Sequence, residues 1–212
     1  MKVLAVLSQK GGVGKTTLAT CLAVAAEQDG KRTAILDLDP QATASFWNDI
    51  RKADTPAVAS IQSIRLPAML KAARSADTEL VIIDGAAVAR DVIFEAATVA
   101  DFVLIPTKSA VFDTMSMLQT IDVVNQQKKP FAVVLTFTPP AGQEITDVIE
   151  TAKEINAPTC PVLIGNRKAY FRAQSEGLAV QEYQPKGKAA DEITRLYEYM
   201  CIHLYKRGLK RG

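Results

Sequence analysis

Short apolar runs alternate with amphipathic stretches along most of this chain. The apolar runs have the length of strands, and they predict six strands with a weaker seventh candidate near residues 58–64. The six predicted strands are residues 3–7, 33–38, 80–84, 102–106, 131–137 and 161–164. Apolar residues at helical spacing predict helices at residues 15–28, 66–74, 113–127 and 144–156.

Strands that are apolar at nearly every position are buried on both faces, which is typical of a parallel sheet covered by helices. The alternation of strands and helices therefore predicts an α/β fold with a doubly wound, mainly parallel sheet flanked by helices. In such a fold, ligands bind at the carboxyl ends of the strands. The sequence has no repeat, low-complexity tract or linker, and we expect residues 1–212 to form a single domain.

A glycine-rich segment, KGGVGKTT at residues 10–17, lies between the first predicted strand and the first predicted helix. Its glycines let the backbone approach an anion, and the N–H groups and dipole of the helix N-terminus favour negative charge. We expect Lys15 to reach the β- and γ-phosphates of a nucleotide and the Thr16 hydroxyl to hold Mg²⁺. The candidate nucleotide-binding residues are Lys10, Gly11, Gly12, Val13, Gly14, Lys15, Thr16 and Thr17.

Two common glycine-rich patterns do not fit this segment. The usual phosphate loop has a glycine where this chain has Gln9, and the dinucleotide-binding pattern has a third glycine where this chain has Thr17. A second lysine, Lys10, stands directly before the double glycine instead. A glycine-rich turn that binds nothing is the alternative, but the order of strand, loop and helix favours a phosphate site.

With Lys10 in this position, the loop resembles that of the deviant Walker A ATPases. These P-loop NTPases include the ParA partition proteins, MinD and the nitrogenase iron protein. In that group the extra lysine reaches across a dimer interface to the nucleotide of the other subunit. The resemblance implies that ATP and Mg²⁺ are cofactors, that the chain forms an ATP-dependent homodimer, and that Lys10 and Lys15 take part in catalysis.

The segment DLDPQ at residues 37–41 ends the second predicted strand. Alternation along a strand sends Asp37 and Asp39 to the same side, where two carboxylates can order magnesium and water. ParA proteins have a similar D-x-D-P-Q at the matching strand. The resemblance implies that Asp39 orients or deprotonates the attacking water and that Asp37 supports the magnesium shell. The alternative is a strand end that leads into a capped helix at residues 42–50.

Asp84 ends another apolar strand, in the segment VIIDG. A Walker B aspartate meets Mg²⁺ through water from such a position. Asp-Gly also makes ordinary turns, but the order and distance of this segment after DLDPQ match the ParA family. Thr16, Asp37 and Asp84 are therefore the candidate metal residues. Residues 85–87, Gly-Ala-Ala, stand where many ParA proteins have Thr-Pro-Pro, and they resemble the small plasmid-type proteins called ParF.

Weaker similarities extend over nearly the whole chain. The segment at residues 105–107 and Asp113 resemble the ParA dimer face, while residues 164–167 and 176–177 resemble the C-terminal portion of those proteins. No helix-turn-helix segment precedes the phosphate loop in this sequence, so we expect the short ParA type.

Basic residues gather in the last quarter of the chain, although the net charge is only +2. ParA dimers hold chromosomal DNA through their C-terminal region without sequence preference, and phosphate contacts of this kind need no base-reading element. The resemblance implies that Arg167, Lys168 and Arg172 bind DNA, and a basic tail follows at Lys206, Arg207, Lys210 and Arg211. An ordinary solvated face is the alternative.

Composition and segment lengths predict the cellular location. The first strand begins directly at the N-terminus and the apolar runs are short, so we expect no signal peptide and no membrane span. Three cysteines in no metal-binding arrangement are consistent with a reducing compartment. The apolar stripe of the last helical segment is most simply a core face rather than a membrane-targeting helix. We therefore expect a cytoplasmic protein.

The resemblance to the deviant Walker A ATPases implies three possible classes of function. The favoured class is an ATPase for plasmid or chromosome partition, which binds DNA nonspecifically in the ATP state, associates with the nucleoid and is stimulated by a ParB-like centromere-binding protein. A second class is a membrane-cycling regulator similar to MinD. A third is a metabolic ATP-dependent synthetase on the same fold, which would need added loops around a substrate pocket.

Overall fold

In the computed structural model, which describes residues 1–87 and 90–206 without the side chains of residues 111 and 112, six strands form one sheet. The strands are β1 (Lys2–Val6), β2 (Thr33–Asp37), β3 (Ala57–Ser60), β4 (Leu80–Asp84), β5 (Phe102–Thr107) and β6 (Phe131–Leu135). The α-helices of the described chain are α1 (Lys15–Gln28), α2 (Thr43–Ile50), α3 (Leu66–Ser75), α4 (Arg90–Val99), α5 (Val111–Gln126), α6 (Gln143–Glu154), α7 (Lys168–Ser175), α8 (Val180–Tyr183) and α9 (Lys188–Tyr205).

The sheet order is β3-β2-β4-β1-β5-β6, and each neighbouring pair is parallel. Side chains of successive residues alternate between two hydrophobic layers. Leu4 and Val6 of β1 face a layer that includes α1 and α9, whereas Val3 and Ala5 face a layer that includes α3, α4 and α5. Helices therefore cover both faces of the sheet, and the predicted doubly wound α/β fold is confirmed.

The predicted strand at residues 161–164 is wrong. This segment accompanies β6 through separate backbone hydrogen bonds, such as Cys160 N to Val133 O at 2.8 Å and Ile164 N to Leu135 O at 2.9 Å. Pro161 lies between these two bonds and has no N–H to donate, which interrupts a regular ladder. The other five strong strand predictions agree with the structure within two residues at each end, and the weak candidate corresponds to edge strand β3.

Helices α4 and α7 were not among the predicted helices. Helix α4 buries Ile93, Ala96 and Ala97, and helix α7 buries Tyr170 and Ala173. Helix α9, in contrast, buries its apolar stripe in the core, as the sequence predicts. None of the helices in the described part of the chain is both long and apolar enough to cross a membrane.

Strand pairing places three strand ends side by side. Asp84 at the end of β4 is in register with Val6 of β1 on one side and with Asp37 of β2 on the other. The chain leaves β1 for α1 on one face of the sheet and leaves β4 for α4 on the opposite face. Adjacent strands whose helices diverge in this way open a crevice at their carboxyl ends.

A largely buried ion pair connects the C-terminus of α2 to α8. The Arg51 guanidinium donates to Glu182 through Nη1 at 2.8 Å and Nη2 at 2.7 Å, and 4% of its side chain is exposed. It also donates to the carbonyls of Gly177 and Thr55 and lies 4.8 Å from the ring centroid of Trp47. Burial alone would raise the pKa of Glu182, but its hydrogen bonds with Arg51 lower that pKa overall.

We predict that Arg51→Ala lowers the free energy of unfolding by about 3 kcal/mol, because it leaves the Glu182 charge partly buried without its partner. Glu182 stabilises the fold through a lowered pKa, so this stabilisation is present above the ordinary glutamate value of 4.5 and is lost as pH falls through the folded-state pKa. The difference between wild type and variant should therefore shrink in acid. Denaturant unfolding at neutral and acidic pH measures both effects. Arg74→Ala, at an exposed arginine of α3, is the control and should change stability by less than about 0.5 kcal/mol.

Candidate nucleotide-binding site

The glycine-rich loop between β1 and α1 has the backbone conformation that a phosphate cradle needs. Gly12 and Gly14 have φ of +68° and +89°, a region that other residues rarely adopt, and Gly14 is the N-cap of α1. Val13, between them, is fully buried, and its carbonyl accepts a hydrogen bond of 2.9 Å from the Thr136 hydroxyl. The loop is therefore fastened to the end of β6, with its N–H groups at the start of a helix.

Lys15 is buried at the first position of α1. Its ammonium donates to the backbone carbonyl of Lys10 at 2.9 Å, which folds the side chain back along the loop. Burial lowers the pKa of Lys15, while the charges of Asp84 and Asp39 oppose this change. The ammonium thus lies between the loop and the carboxylates of the strand ends, where it can neutralise phosphate charge. Lys10, the second lysine of the loop, is half-buried.

Asp84 is the least satisfied charged group of the site. It is fully buried, and neither of its side-chain oxygens has a hydrogen-bond partner in the described structure. Burial raises the pKa of Asp84 to about 7; the nearby Thr16 hydroxyl and the Lys15 ammonium act against this rise, and Asp37 adds to it. A buried carboxylate without partners requires a proton or a cation.

Thr16 and Asp84 fit a magnesium ion. Mg²⁺ is commonly bound by one or two protein oxygens together with waters and substrate phosphates. No group of three histidine, cysteine or acidic side chains within the described residues could hold a metal by itself. A hydroxyl and a free carboxylate next to a phosphate loop supply the oxygens that Mg²⁺ shares with a nucleotide, and bound Mg²⁺ would stabilise the phosphate charge.

Asp37 is in register with Asp84, and its carboxylate accepts hydrogen bonds from backbone N–H groups. Its Oδ1 accepts from the backbone N of Asp39 at 3.0 Å, and its Oδ2 accepts from the N atoms of Ala44 at 3.0 Å and Ser45 at 3.3 Å. Burial raises the pKa of Asp37 despite these hydrogen bonds. The carboxylate caps the N-terminus of α2 and fixes the loop that carries Asp39, so the capped helix considered as the alternative is present.

Asp39 is half-buried two residues after the end of β2. Its Oδ1 accepts from the backbone N of Gln41 at 2.9 Å. Its charge acts on the pKa of both Lys15 and Asp84, so the three side chains are close enough to interact electrostatically. A half-exposed carboxylate at this position can contact water while remaining near the phosphate loop.

A cavity of about 770 Å³ opens beside the C-terminal end of the phosphate loop, and its size suits a nucleoside. Gly14, Thr16 and Thr17 form one wall, Phe137 after β6 forms a second, and α7 with the segment before it forms a third. The second and third walls, which include Phe137, Ile164, Asn166, Tyr170 and Phe171, were not among the site residues predicted from the sequence. The available signal was the position of Phe137 just after a parallel strand, because such ends line ligand sites.

The three candidate DNA-binding residues line this same cavity. Arg167 donates through Nε at 2.8 Å and Nη2 at 2.5 Å to Oε1 of Glu192, a buried residue of α9, and this ion pair offsets its charge. Lys168 and Arg172 are exposed one turn apart on α7. In the basic tail, Arg207, Lys210 and Arg211 lie outside the described residues.

Comparisons with known proteins agree with this geometry. Residues 4–180 match the model of the CobQ/CobB/MinD/ParA nucleotide binding domain. The chain is 32% identical over 208 residues to maintenance of carboxysome distribution protein A (McdA) from Gloeobacter kilaueensis, covering 96% of this chain and 94% of that protein.

Two solved structures show the same fold. MinD of Pyrococcus horikoshii, complexed with Mg-ADP, has a TM-score of 0.79 and 17% identity, covering 94% of this chain and 95% of that one. An ATP complex of a substituted McdA from Cyanothece has a TM-score of 0.77 and 19% identity, covering 100% of this chain and 99% of that one. The resemblance noted in the phosphate loop is confirmed. The chain belongs to the CobQ/CobB/MinD/ParA nucleotide-binding family and is an ATPase of the ParA and MinD type.

Proposed function

We propose that this ATPase positions a cargo along DNA, using ATP binding to form a homodimer and ATP hydrolysis to release it. The observation that carries the proposal is the buried, unpartnered Asp84 carboxylate beside Thr16 and the phosphate loop. That arrangement suits a magnesium ion shared with the phosphates of ATP. The ATP and Mg-ADP complexes of the two structural neighbours support these cofactors.

Each residue of the site then has a role in hydrolysis. The loop N–H groups and Lys15 hold and neutralise the phosphates, while Thr16 and Asp84 hold Mg²⁺. Asp39 orients or deprotonates the attacking water. Asp37 supports the magnesium shell indirectly, since its hydrogen bonds to the Asp39 loop and to α2 fix where Asp39 stands.

Lys10 acts between subunits in this proposal. Lys15 is already folded against the loop, whereas the half-buried Lys10 forms no ion pair with any described residue. A lysine at the edge of the loop can contact the phosphates of a facing subunit when ATP brings two chains together. Dimerisation would then depend on both the γ-phosphate and Lys10.

Nonspecific DNA binding by the ATP-bound dimer is the second part of the proposal. Lys168 and Arg172 are exposed on α7, and a homodimer doubles this small number of positive charges. DNA binding that depends on dimerisation would keep the protein in the cytoplasm as a monomer and on the nucleoid in the ATP state.

The cargo distinguishes two versions of this function. A partition ATPase would move a plasmid or chromosome site through a ParB-like centromere-binding protein. The 32% identity to an McdA protein across nearly the whole chain favours a second candidate, a protein body in place of a DNA site. Imaging a fluorescent fusion of the chain together with labelled plasmid DNA tests which cargo moves with it.

We expect Asp39→Ala to retain ATP binding and to lower the hydrolysis rate by about a hundredfold or more, because orienting water matters mainly in the transition state. The variant should accumulate as an ATP-bound dimer. Titration with a fluorescent ATP analogue, phosphate release and light scattering measure the three properties. Asp49→Ala on α2 is the matched control and should hydrolyse ATP at the wild-type rate. Wild-type turnover by Asp39→Ala would remove the role given to Asp39.

Lys10→Ala should leave ATP affinity of the monomer within about threefold of wild type and prevent ATP-dependent dimerisation. The physical reason is that Lys10 would gain its phosphate contact only when two subunits close. Nucleotide titration at low protein concentration and sedimentation at high concentration separate the two effects. Normal ATP-dependent dimerisation of Lys10→Ala would contradict the contact between subunits.

Replacing Lys168 and Arg172 together by alanine should weaken binding to unrelated DNA duplexes in ATP and reduce its salt dependence. Each lost phosphate contact lowers the slope of log affinity against log salt by about 0.9. Fluorescence anisotropy in ATP and in ADP measures this, and wild-type binding should be weak in ADP. The control pair, Arg65→Ala with Lys71→Ala, lies on the opposite face of the sheet.

Arg167 is left unchanged in this experiment because its charge is paired with Glu192. ATP affinity is measured in parallel, since Lys168 and Arg172 also line the cavity. Loss of ATP binding together with DNA binding would assign both side chains to the nucleotide site and contradict their role in holding DNA.

A further inference from the structure

Lys108 lies at the phosphate loop although it follows a different strand, β5. Its ammonium nitrogen is 3.9 Å from the position that a Cβ on Gly12 would occupy. This is an ordinary van der Waals separation, so the ammonium lies next to the backbone of the loop. Lys108 is half-buried, so its side chain lies along the protein surface rather than extending into solvent.

Phe137 holds Lys108 in this position. The Lys108 ammonium lies 4.5 Å from the centroid of the Phe137 ring, a cation–π geometry. Phe137 has φ of +53°, a left-handed backbone that bulky residues rarely adopt. The preceding Thr136 fixes this turn, because its hydroxyl donates to the carbonyl of Val13 at 2.9 Å and its backbone N donates to the carbonyl of Thr107 at 2.8 Å.

The Lys108 ammonium has no counter-charge in the described structure, where it forms neither an ion pair nor a hydrogen bond. A ring face compensates part of the hydration that the ammonium loses but leaves its charge unneutralised. A cation held without a carboxylate beside a loop of N–H groups can interact with an anion on that loop.

The direction of the loop indicates which phosphate this would be. The nucleoside-sized cavity is lined by Gly14, Thr16 and Thr17, at the C-terminal end of the loop. A nucleotide whose nucleoside fills the cavity extends its phosphates toward Gly12, the end at which Lys108 stands. Phe137 borders the cavity and also carries Lys108, so one residue contacts both ends of the site.

We propose that Lys108 is a further phosphate-contacting residue, which binds the terminal phosphate of ATP and makes the protein prefer ATP over ADP. The proposal rests on the proposed function of this site as an ATP site. It adds a lysine from outside the glycine-rich loop, presented by the aromatic ring of Phe137.

The test compares the affinities of Lys108→Met and wild type for a slowly hydrolysed ATP analogue and for ADP, both with Mg²⁺. The measurements use the full chain at protein concentrations where light scattering detects no dimer. Methionine keeps an unbranched side chain of similar size but removes the charge. Affinity for the ATP analogue should fall about tenfold and affinity for ADP less than about threefold, as expected for one charge-assisted contact.

Three further variants make the result specific. Lys108→Arg keeps the charge and should restore the preference for the ATP analogue. Phe137→Leu removes the ring face and should reduce this preference in the same direction as Lys108→Met. Lys153→Met, at an exposed lysine of α6, should leave both affinities unchanged. Thermal unfolding of each variant confirms that it is folded.

The outcomes separate this proposal from the proposed function. If wild type binds neither nucleotide, the assignment of the site as an ATP site fails. If wild type binds both nucleotides and Lys108→Met keeps the wild-type ratio of affinities, the role of Lys108 is overturned while the ATP site stands. Equal losses for the ATP analogue and for ADP also overturn it, because they show that Lys108 does not sense the terminal phosphate.

Discussion

The parallel pairing of β4 with both β1 and β2 is the constraint on which the site depends. This register brings the ends of three strands to one point: the phosphate loop leaves β1, Asp84 closes β4, and Asp37 closes β2. A shift by one residue in either pairing would turn Asp84 toward the opposite face of the sheet. Because all three strands are buried, their apolar side chains fix the register on both faces.

Burial shifts the pKa values of the charged side chains in this site, and burying charged groups costs free energy. The interior that holds the register also removes water from Asp84 and Lys15, raising the pKa of the carboxyl group and lowering that of the ammonium. Burial raises the pKa of Asp37 as well, although its carboxylate accepts three backbone N–H groups that oppose this rise. Asp84 has no such partners, so a cation bound there would gain the full interaction of a desolvated carboxylate.

The parts of the site that were predictable from the sequence are those built from local segments. The glycine-rich loop and the carboxylates at strand ends are visible because strand, turn and helix follow one another within a few residues. The hydrogen bonds that Asp37 accepts from the N-terminus of α2 could not be predicted from the sequence, because they depend on how the chain turns after Asp39. The ion pair between Arg167 and Glu192 joins the residue before α7 to a residue of α9, which lie 25 positions apart in the sequence.

The cavity walls formed by Phe137 and by α7 with the segment before it were not predicted, and the strand predicted at residues 161–164 was wrong. The two failures have the same cause. Both depend on how the chain beyond β6 packs against earlier strands. Local patterns of apolar and polar residues do not show such contacts between distant segments. The backbone N–H groups of Cys160 and Ile164 donate hydrogen bonds to β6, while Pro161 interrupts the regular ladder. After this irregular segment the chain enters α7, which lines the cavity beside the phosphate loop.

This course of the chain links the cavity to the outer surface. Helix α7 presents Tyr170 and Ala173 to the core and exposes Lys168 and Arg172, and both exposed side chains border the cavity. At its N-terminus the helix is connected to α9 by the ion pair between Arg167 and Glu192. A nucleotide that fills the cavity would therefore contact the helix whose outer residues carry the proposed DNA charges. One short helix can thus make the position of those charges depend on nucleotide binding, because the same rigid element borders both sites.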